Sequence, residues 1–268
     1  MLIQSRENPK IKLYGRLRDK KSAREREGMF VIEGGRIISD ALKENVTLIS
    51  AFYTASARER YTNEVAELCS RLGDDAFEVT EEVSQKLAET IAPQGIYAIA
   101  QRLDKTPPLD KIVYGGKYLI LNSLQDPGNV GTILRAADAV GISGVYLCNS
   151  CDIYNPKLVR STMGSLFRVP LTDCLGYSDV LSLLKSAGIS SYAAVVDKDA
   201  SSLREFEFPE SCAVVIGNEG SGLTHEDAML CDGRITIKMS GTIESLNAAS
   251  AATIFLWELT KQRKDDSL

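Results

Sequence analysis

Residues 212–223, with the sequence CAVVIGNEGSGL, join a short apolar run to a glycine-rich one. The apolar part, Cys212 to Ile216, has no alternating polar positions, which is typical of a parallel strand that is buried on both faces of a sheet. Three glycines follow within six residues, and glycine permits tight turns and a close approach of the backbone to a ligand. The stretch predicts an α/β fold with a parallel sheet. On its own, however, the loop is better explained as a plain glycine-rich turn.

A second loop of this kind occupies residues 122–135, NSLQDPGNVGTILR. It leads from an apolar strand into a helix, and free N–H groups at a helix start suit an anion such as a phosphate. Asn129 is predicted as the helix cap, and Gly131 lets a neighbouring backbone approach closely. Arg135 falls off the apolar stripe of the helix, so its guanidinium is free to point toward a site. A cap and a packing glycine alone would also explain this segment.

The third segment, residues 237–252, has the sequence IKMSGTIESLNAASAA. Ser245 is predicted to cap a long final helix that runs from Ser245 to Gln262. The small residues that follow allow another helix or backbone to pack tightly, although ordinary helix packing explains such a run equally well.

The rest of the chain alternates helix and strand, which favours α/β architecture throughout. The predicted strands are 29–32, 48–53, 76–79, 96–100, 118–121, 145–147, 191–196, 212–216 and 234–237, and the predicted helices begin at Pro9 and then cover 37–42, 61–72, 82–88, 130–140, 156–163, 180–187 and 245–262. The first hundred residues predict a small three-layered α/β sandwich. Paired prolines and paired glycines in residues 103–116 predict a linker. We therefore expect an N-terminal domain at 1–105 and a second domain at 106–268.

The net charge of −5 is distributed unevenly. Residues 1–28 carry nine basic and four acidic groups, so this segment is +5 and the remainder is −10. Phosphate binding responds to local potential, so the basic segment predicts an RNA footprint, with a solvated helix face as the open alternative. The nine basic residues are Arg6, Lys10, Lys12, Arg16, Arg18, Lys20, Lys21, Arg24 and Arg26.

Composition argues against several other classes of protein. No apolar run is long enough for a membrane span and the N-terminus lacks a signal-peptide stretch, so we expect a cytoplasmic protein without a membrane partner. Six dispersed cysteines do not predict a disulfide framework. Cys148 and Cys151 have the spacing of a metal pair, but the single histidine, His225, offers no companion ligand, so no metal is expected.

Taken together, the three segments are recognisable. In the order DPGNVGTILRAADAVG (126–141), GNEGSGL (217–223) and IKMSGTIESLNAASA (237–251), they closely resemble the three motifs of the SpoU (TrmH-type) RNA 2′-O-ribose methyltransferases of the SPOUT class. Three separated motifs in a fixed order are far more specific than any one of them. FVIEGGRIISDAL (30–42) also resembles the substrate-binding domain of that family, which is similar to a ribosomal protein that grips bent RNA.

The resemblance implies a parallel-sheet catalytic domain with a C-terminal trefoil knot, and an N-terminal RNA-binding domain. It implies S-adenosylmethionine as cofactor, a homodimer, and RNA as the substrate, with ribosomal RNA favoured over transfer RNA. The implied cofactor-binding residues are Gly217, Ile237, Met239, Leu246 and Asn247. Lys238 stands where the family usually has proline, which puts the local cofactor geometry in question.

The same resemblance implies that Arg135, Asn129, Glu219 and Ser245 are catalytic. A guanidinium stays protonated in proteins, so we expect Arg135 to bind phosphate and stabilise a developing alkoxide rather than act as a base. Two alternatives remain at this point. A nicotinamide enzyme on a Rossmann sheet would need G-x-G-x-x-G, which residues 128–131 do not provide. A non-catalytic RNA-binding relative would not need the polar motif residues that this chain has.

Overall fold

The computed structural model describes residues 1–103, 112–174 and 176–261. Its contacts divide the chain into two compact units. The first is Met1–Asp104 with Asp152–Arg168, and the second is Lys105–Cys151 with Val169–Leu268. The predicted domain boundary, and most of the predicted linker, fall on residues 104–111, which lie outside the described residues.

Strands and helices alternate along the described residues. The strands are β1 (Leu2–Ile3), β2 (Met29–Glu33), β3 (Leu48–Tyr53), β4 (Ala76–Val79), β5 (Ile96–Gln101), β6 (Lys117–Asn122), β7 (Gly144–Cys148), β8 (Leu171–Cys174), β9 (Ser190–Ala194), β10 (Ser201–Ser202), β11 (Cys212–Ile216) and β12 (Gly233–Thr236). The helices are α1 (Pro9–Asp19), α2 (Lys21–Glu27), α3 (Gly35–Lys43), α4 (Ala55–Arg60), α5 (Thr62–Leu72), α6 (Glu81–Leu87), α7 (Pro127–Val140), α8 (Pro156–Ser161), α9 (Ser165–Arg168), α10 (Tyr177–Ser186), α11 (His225–Met229) and α12 (Ala248–Leu259). None of the helices in the described residues is long and apolar enough to cross a membrane.

The first unit is built on a mixed sheet, whose described strands have the order β1-β4-β3-β5-β2. Strand β5 pairs antiparallel with both β2 and β3, while β4 pairs parallel with β3 and β1. Helix α1 buries Ile11, Tyr14 and Leu17 in the core of this unit, as its apolar spacing predicts. Most basic side chains of residues 1–28 lie outside this core and are exposed, with two exceptions.

Those exceptions are Arg18 and Arg24, which correct the expectation that all nine basic residues of the N-terminal segment form an RNA footprint. Arg18 donates to the carbonyl oxygens of Lys86, Leu87 and Ala88 at the end of α6. Arg24 has a side chain only 5% exposed and binds Asp152, which is 12% exposed, through Nη2 at 2.7 Å and Nε at 2.8 Å. Both guanidinium groups hold the fold together, so they are not available to phosphates.

Residues 152–168 belong to the first unit although they follow β7 in the chain. Tyr154 packs against Phe30 with ring centroids 4.8 Å apart, and its hydroxyl donates to the carbonyl of Leu103. Arg160 binds the carboxylate of Glu89. The segment therefore completes the core of the unit that contains the N-terminus.

The second unit has a sheet of order β10-β12-β9-β11-β6-β7-β8 among its described strands, and every pair is parallel. The prediction of an α/β fold with a parallel sheet is confirmed. Strand β11 lies between β6 and β9 and is buried along its whole length, as an unbroken apolar run predicts. Because all strands are parallel, the loops after β6, β9, β11 and β12 meet at the same edge of the sheet.

Candidate active site

The glycine loop after β11 is closed by its own backbone. The N–H of Asn218 donates to Gly222 O at 3.1 Å, and the N–H of Gly222 returns to Asn218 O at 2.9 Å. Gly222 has φ of +68°, and a Cβ on Gly217 would clash with the carbonyl carbon of Gly222. These two positions therefore require glycine, one for its conformation and one for its close packing. The loop is therefore compact, and the directions in which its side chains extend are fixed.

The side chain of Glu219 extends from this loop toward the segment that follows β6. Its carboxylate accepts hydrogen bonds from the backbone N–H of Asp126 at 2.9 Å, the N–H of Gln125 at 3.1 Å and Nδ2 of Asn129 at 3.3 Å. Partial burial raises the pKa of Glu219, but the hydrogen bonds from Gln125, Asp126 and Asn129 outweigh it, so the pKa lies below its ordinary value. The group is therefore an ionised acceptor that joins the first motif to the second.

The third motif joins the same network through Asn247. Nδ2 of Asn247 donates to Oδ1 of Asn129 at 3.0 Å, while Oδ1 of Asn247 caps α12 by accepting from the N–H groups of Ala249 and Ser250. The prediction of Ser245 as the cap of the final helix is wrong, because the helix starts later and Asn247 has the capping geometry.

The predicted capping role of Asn129 is also wrong. Helix α7 begins at Pro127, and the carboxylate of Asp126 accepts from the N–H of Gly128 as the cap. Asn129 lies inside the first turn, where its side chain is free to bind Glu219 and Asn247. Three motifs that are far apart in sequence thus meet in one chain of hydrogen bonds, Glu219–Asn129–Asn247.

A cavity of about 530 Å³ opens beside this network, at the carboxyl ends of β9, β11 and β12. Of the predicted cofactor residues, Gly217, Ile237, Met239 and Leu246 line it, as do the predicted catalytic residues Glu219 and Ser245. Asn129 and Asn247 are joined to it by the hydrogen bonds above but do not line it. Lys238 is exposed and does not line the cavity, whereas its two neighbours do.

The size, surface and charge of the cavity fit S-adenosylmethionine. Its volume is in the range of about 300–1,000 Å³ that is typical of small-molecule sites. Apolar side chains from Ile216, Ile237, Leu246 and Phe255 offer a surface for an adenosyl group. The ionisable lining consists of Asp197, Glu219, Glu244, Arg234 and His225. Three carboxylates against one guanidinium make the cavity acidic, which suits a cofactor whose sulfonium and ammonium outnumber its single carboxylate.

Arg135 is the predicted site residue that neither lines the cavity nor joins the hydrogen bonds between Glu219, Asn129 and Asn247. It lies on α7 with an exposed side chain and does not line the cavity. Within the described part of the chain, its guanidinium makes no ion pair with a carboxylate. Among the described residues Arg135 therefore has no acidic partner, and it lies on the helix whose first turn carries Asn129.

Several residues of this site are not among those predicted from the sequence. Asn218 was part of the glycine motif, but its role was not inferred: its side chain binds Ser123 O through Nδ2 at 2.9 Å and accepts from the N–H of Gly220 through Oδ1 at 2.9 Å. Asp197 and Arg234 lie outside the three motifs and form an ion pair that lines the cavity. An asparagine directly after Gly217 in a glycine-rich loop was a usable signal for Asn218, whereas the ion pair depends on β9 and β12 being neighbours.

Comparison with known proteins identifies this arrangement. The model of the SpoU rRNA Methylase family matches residues 116–257, which contain all three motifs and most of the second unit. The chain belongs to the SpoU rRNA methylase family. Residues 8–98 match a second model, the MRM3-like substrate binding domain.

Two relatives of the SpoU family and one solved structure cover nearly the whole chain. The 23S rRNA (guanosine(2553)-2′-O)-methyltransferase RlmP of Bacillus subtilis is 32% identical over 96% of this chain and 98% of its own length. The 23S rRNA (uridine(2479)-2′-O)-methyltransferase of Streptomyces viridochromogenes is 29% identical over 96% and 91%. The AdoMet-bound rRNA methyltransferase of Sinorhizobium meliloti has a TM-score of 0.82 and 29% identity, and the match covers 97% of both chains.

These findings confirm the SpoU family, the enzyme class and the cofactor predicted from the three motifs. The chain is an RNA methyltransferase of the SpoU family, and its cofactor is S-adenosylmethionine. The alternatives of a nicotinamide enzyme and of a non-catalytic relative are therefore set aside.

Proposed function

We propose that this chain transfers a methyl group from S-adenosylmethionine to the 2′-hydroxyl of a ribose in ribosomal RNA. One observation carries the proposal: the hydrogen bonds from Glu219 through Asn129 to Asn247 bring the three SpoU motifs together at the edge of an acidic cavity. The two relatives described above are named as methyltransferases of 23S rRNA, which favours ribosomal over transfer RNA.

Bound S-adenosylmethionine supplies an electrophilic methyl group on a positively charged sulfur. The protein's contribution is to orient the ribose and to stabilise charge. Both polar atoms of the Asn129 amide are fixed, since Nδ2 donates to Glu219 and Oδ1 accepts from Asn247. A ribose that binds this edge therefore meets groups that do not reorganise, and such preorganisation lowers the barrier to an in-line displacement.

Glu219 acts as a positioning group and not as the base. Its lowered pKa makes it a weak proton acceptor at neutral pH, and its carboxylate already accepts three hydrogen bonds. Ser245 is exposed and lines the cavity, so its hydroxyl is available to the ribose.

Arg135 completes the site from a partner subunit in the homodimer that we propose. Its side chain is exposed and lies outside the cavity of its own chain. The same surface region offers an interface, because α12 packs against α7 and exposes Ile254 and Trp257, three residues apart and therefore on one face. Trp257 is 67% exposed in the single chain. Tryptophan is enriched in contacts between subunits, where such a side chain would be buried.

Subunit mixing tests this arrangement. Arg135→Lys and Glu219→Gln variants should each have at most about a tenth of wild-type activity alone. Mixed in equal amounts and allowed to exchange, they should recover about a quarter of wild-type activity, because half of the dimers are then mixed and one of the two sites in each mixed dimer is intact. If the mixture stays inactive although two different affinity tags on the variants co-purify and so show mixed dimers, Arg135 does not serve the partner's site. Trp257→Lys should shift the protein toward the monomer.

The first unit is proposed to bind the RNA, as its match to a substrate-binding domain supports. Lys12, Arg16 and Lys20 follow one another at intervals of four, and all three are exposed. Among the described residues, Arg16 and Lys20 make no ion pair, and the pair of Lys12 with Glu7 is exposed. Such exposed pairs contribute little and are easily exchanged for a phosphate.

Substituting Arg16 and Lys20 with Ala should weaken RNA binding and reduce its dependence on salt. Log affinity falls with log salt concentration, and each lost phosphate contact should make this slope less steep by about 1. Lys43→Ala, an exposed change on α3, is the matched control. An unchanged slope would place the RNA elsewhere.

The trefoil knot is also part of this proposal. After β12 the chain returns past β9 and β11, places Asn247 against Asn129 and packs α12 on α7. The returning segment and the glycine loop line the same cavity, which favours a passage of one through the other. When the unfolded chain is stretched from its ends, a knotted chain should be shorter than its contour length, whereas an unknotted chain reaches full length.

The central experiment is methylation of ribosomal RNA from cells that lack the gene. Transfer of labelled methyl from S-adenosylmethionine, followed by mapping of the modified nucleotide, should give one 2′-O-methyl position in ribosomal RNA. A product methylated on a base, or only in transfer RNA, would overturn the assignment.

A further inference from the structure

The cofactor cavity has a charged pair that none of the three motifs contains. Asp197 follows β9 and Arg234 lies on β12, and both line the cavity. In the order of the sheet, these strands lie on one side of β11, whereas Glu219 binds residues that follow β6, on the other side. The pair therefore marks the side of the cavity away from the motif network.

Asp197 holds Arg234 by one oxygen and one nitrogen. The ion pair joins Oδ2 to Nη1, and the second carboxylate oxygen accepts the N–H of Asp199 at 2.9 Å. No other acceptor for the guanidinium, at Nε or Nη2, is present in the described parts of the chain. The side chains are 28% and 31% exposed, so the remaining donors are available to a ligand in the cavity.

Charge identifies the part of the cofactor that fits this pair. Among the described residues that line the cavity, Arg234 alone has a fixed positive charge. S-adenosylmethionine has a single carboxylate, in its amino-acid end, next to a single ammonium. A guanidinium presents a planar pair of donors to a carboxylate, and a neighbouring carboxylate binds an ammonium.

We propose that Asp197 and Arg234 form the subsite for the amino-acid end of S-adenosylmethionine. Arg234 binds the α-carboxylate through its unused donors, and Asp197 binds the α-ammonium. This inference rests on the proposed function, because it assigns one end of the same cofactor. It also orients the cofactor, since the adenosyl group is then left to the apolar part of the cavity formed by Ile216, Ile237 and Leu246.

Calorimetry with three ligands tests the assignment. S-adenosylmethionine and S-adenosylhomocysteine have the amino-acid end, whereas 5′-methylthioadenosine keeps the adenosine and the thioether but lacks that end. Arg234→Met should weaken binding of the first two at least tenfold and leave 5′-methylthioadenosine unchanged. Asp197→Asn should have the same pattern. Lys198→Met, an exposed change beside the pair that does not line the cavity, should bind all three like wild type.

A charge-swapped variant, Asp197→Arg with Arg234→Asp, separates ligand binding from folding. It keeps an ion pair between the two strands, so it should melt near the wild-type temperature and still bind S-adenosylhomocysteine poorly. If 5′-methylthioadenosine is weakened as much as S-adenosylhomocysteine, the pair does not recognise the amino-acid end. If neither ligand is weakened, the pair is structural only. Failure of the wild-type protein to bind S-adenosylmethionine would instead contradict the proposed function.

Discussion

Two regions of the molecule carry arginines that the sequence predicts to face RNA. The surroundings of these arginines in the folded chain are opposite. In the N-terminal segment, Arg24 is buried and bound to Asp152 and two backbone carbonyls. On α7, Arg135 is exposed and makes no ion pair within the described residues. The number of basic residues in a segment therefore indicates its electrostatic potential, but not whether each side chain can contact RNA. What decides availability is whether acceptors lie within reach in the folded chain.

The largest effect should come from breaking the buried pair. Arg24→Met keeps much of the side-chain volume but removes the cationic partner of Asp152, whose side chain is only 12% exposed, which should lower the free energy of unfolding by about 3–5 kcal/mol. Denaturant titration measures the loss. Arg16→Met, an exposed change on α1, should alter stability by less than about 0.5 kcal/mol. If both variants lose the same stability, the contrast between buried and available arginines fails.

A smaller effect, on activity, is expected from the group that joins the motifs. Glu219→Gln replaces the charged acceptor of two backbone N–H groups by an amide that satisfies them poorly. Because hydrogen bonds to charged groups contribute about 1.5–3 kcal/mol, kcat/KM should fall about a hundredfold, or ~2.7 kcal/mol. Glu226→Gln removes an exposed acid on α11 that does not line the cavity. It should keep wild-type turnover, and equal losses in the two variants would refute the special role of Glu219.

Substitution of the exposed Arg135 should reduce turnover and leave stability unchanged. Arg135→Lys keeps the charge but loses the planar fork that fits a phosphate. We expect methyl transfer to fall at least tenfold, about 1.4 kcal/mol in the barrier, with unchanged cofactor affinity and melting temperature. Arg204→Lys, an exposed change in the same unit, is the control. Near-normal turnover by the Arg135 variant on a validated RNA would mean that the group does not contact substrate.

The same contrast explains how much the sequence could predict. Strands β3, β4 and β11 begin and end at the predicted residues, because an apolar run bounded by polar residues is a local signal. Strands β1, β8 and β10 were missed. The two shortest of these have two residues each, too few to show a period, and pairing with a neighbouring strand defines them.

The site divides in the same way. Most of the residues that the three motifs predict for the site line the cavity or join the hydrogen bonds between Glu219, Asn129 and Asn247, but both helix caps lie at other residues than predicted. Asp126 and Asn247 are as good caps as Asn129 and Ser245 by residue type, so only the turn at which each helix starts distinguishes them. The partner of Arg24 could not be inferred either, since Asp152 lies 128 positions away. Residues 152–168 pack in the first unit, so that unit does not consist of the N-terminal segment alone, and no local signal in the sequence indicates this.

The smallest expected effect is on the pH dependence of stability. It compares the hydrogen-bonded, ionised carboxylate of Glu219 with its protonated form. The pKa of Glu219 lies below its ordinary value of 4.5 in the folded protein, so the ionised form is stabilised by folding. The stability that Glu219 contributes should be complete above pH 4.5 and should be lost as the pH falls through the lower, folded-state pKa. The difference in unfolding free energy between wild type and Glu219→Gln should therefore be constant near neutral pH and shrink in acid. Asn129→Ala removes one of the hydrogen bonds to the carboxylate, so the midpoint of this loss should move toward higher pH. A difference that stays flat down to the acid limit of folding would show that the carboxylate is not held by the first motif.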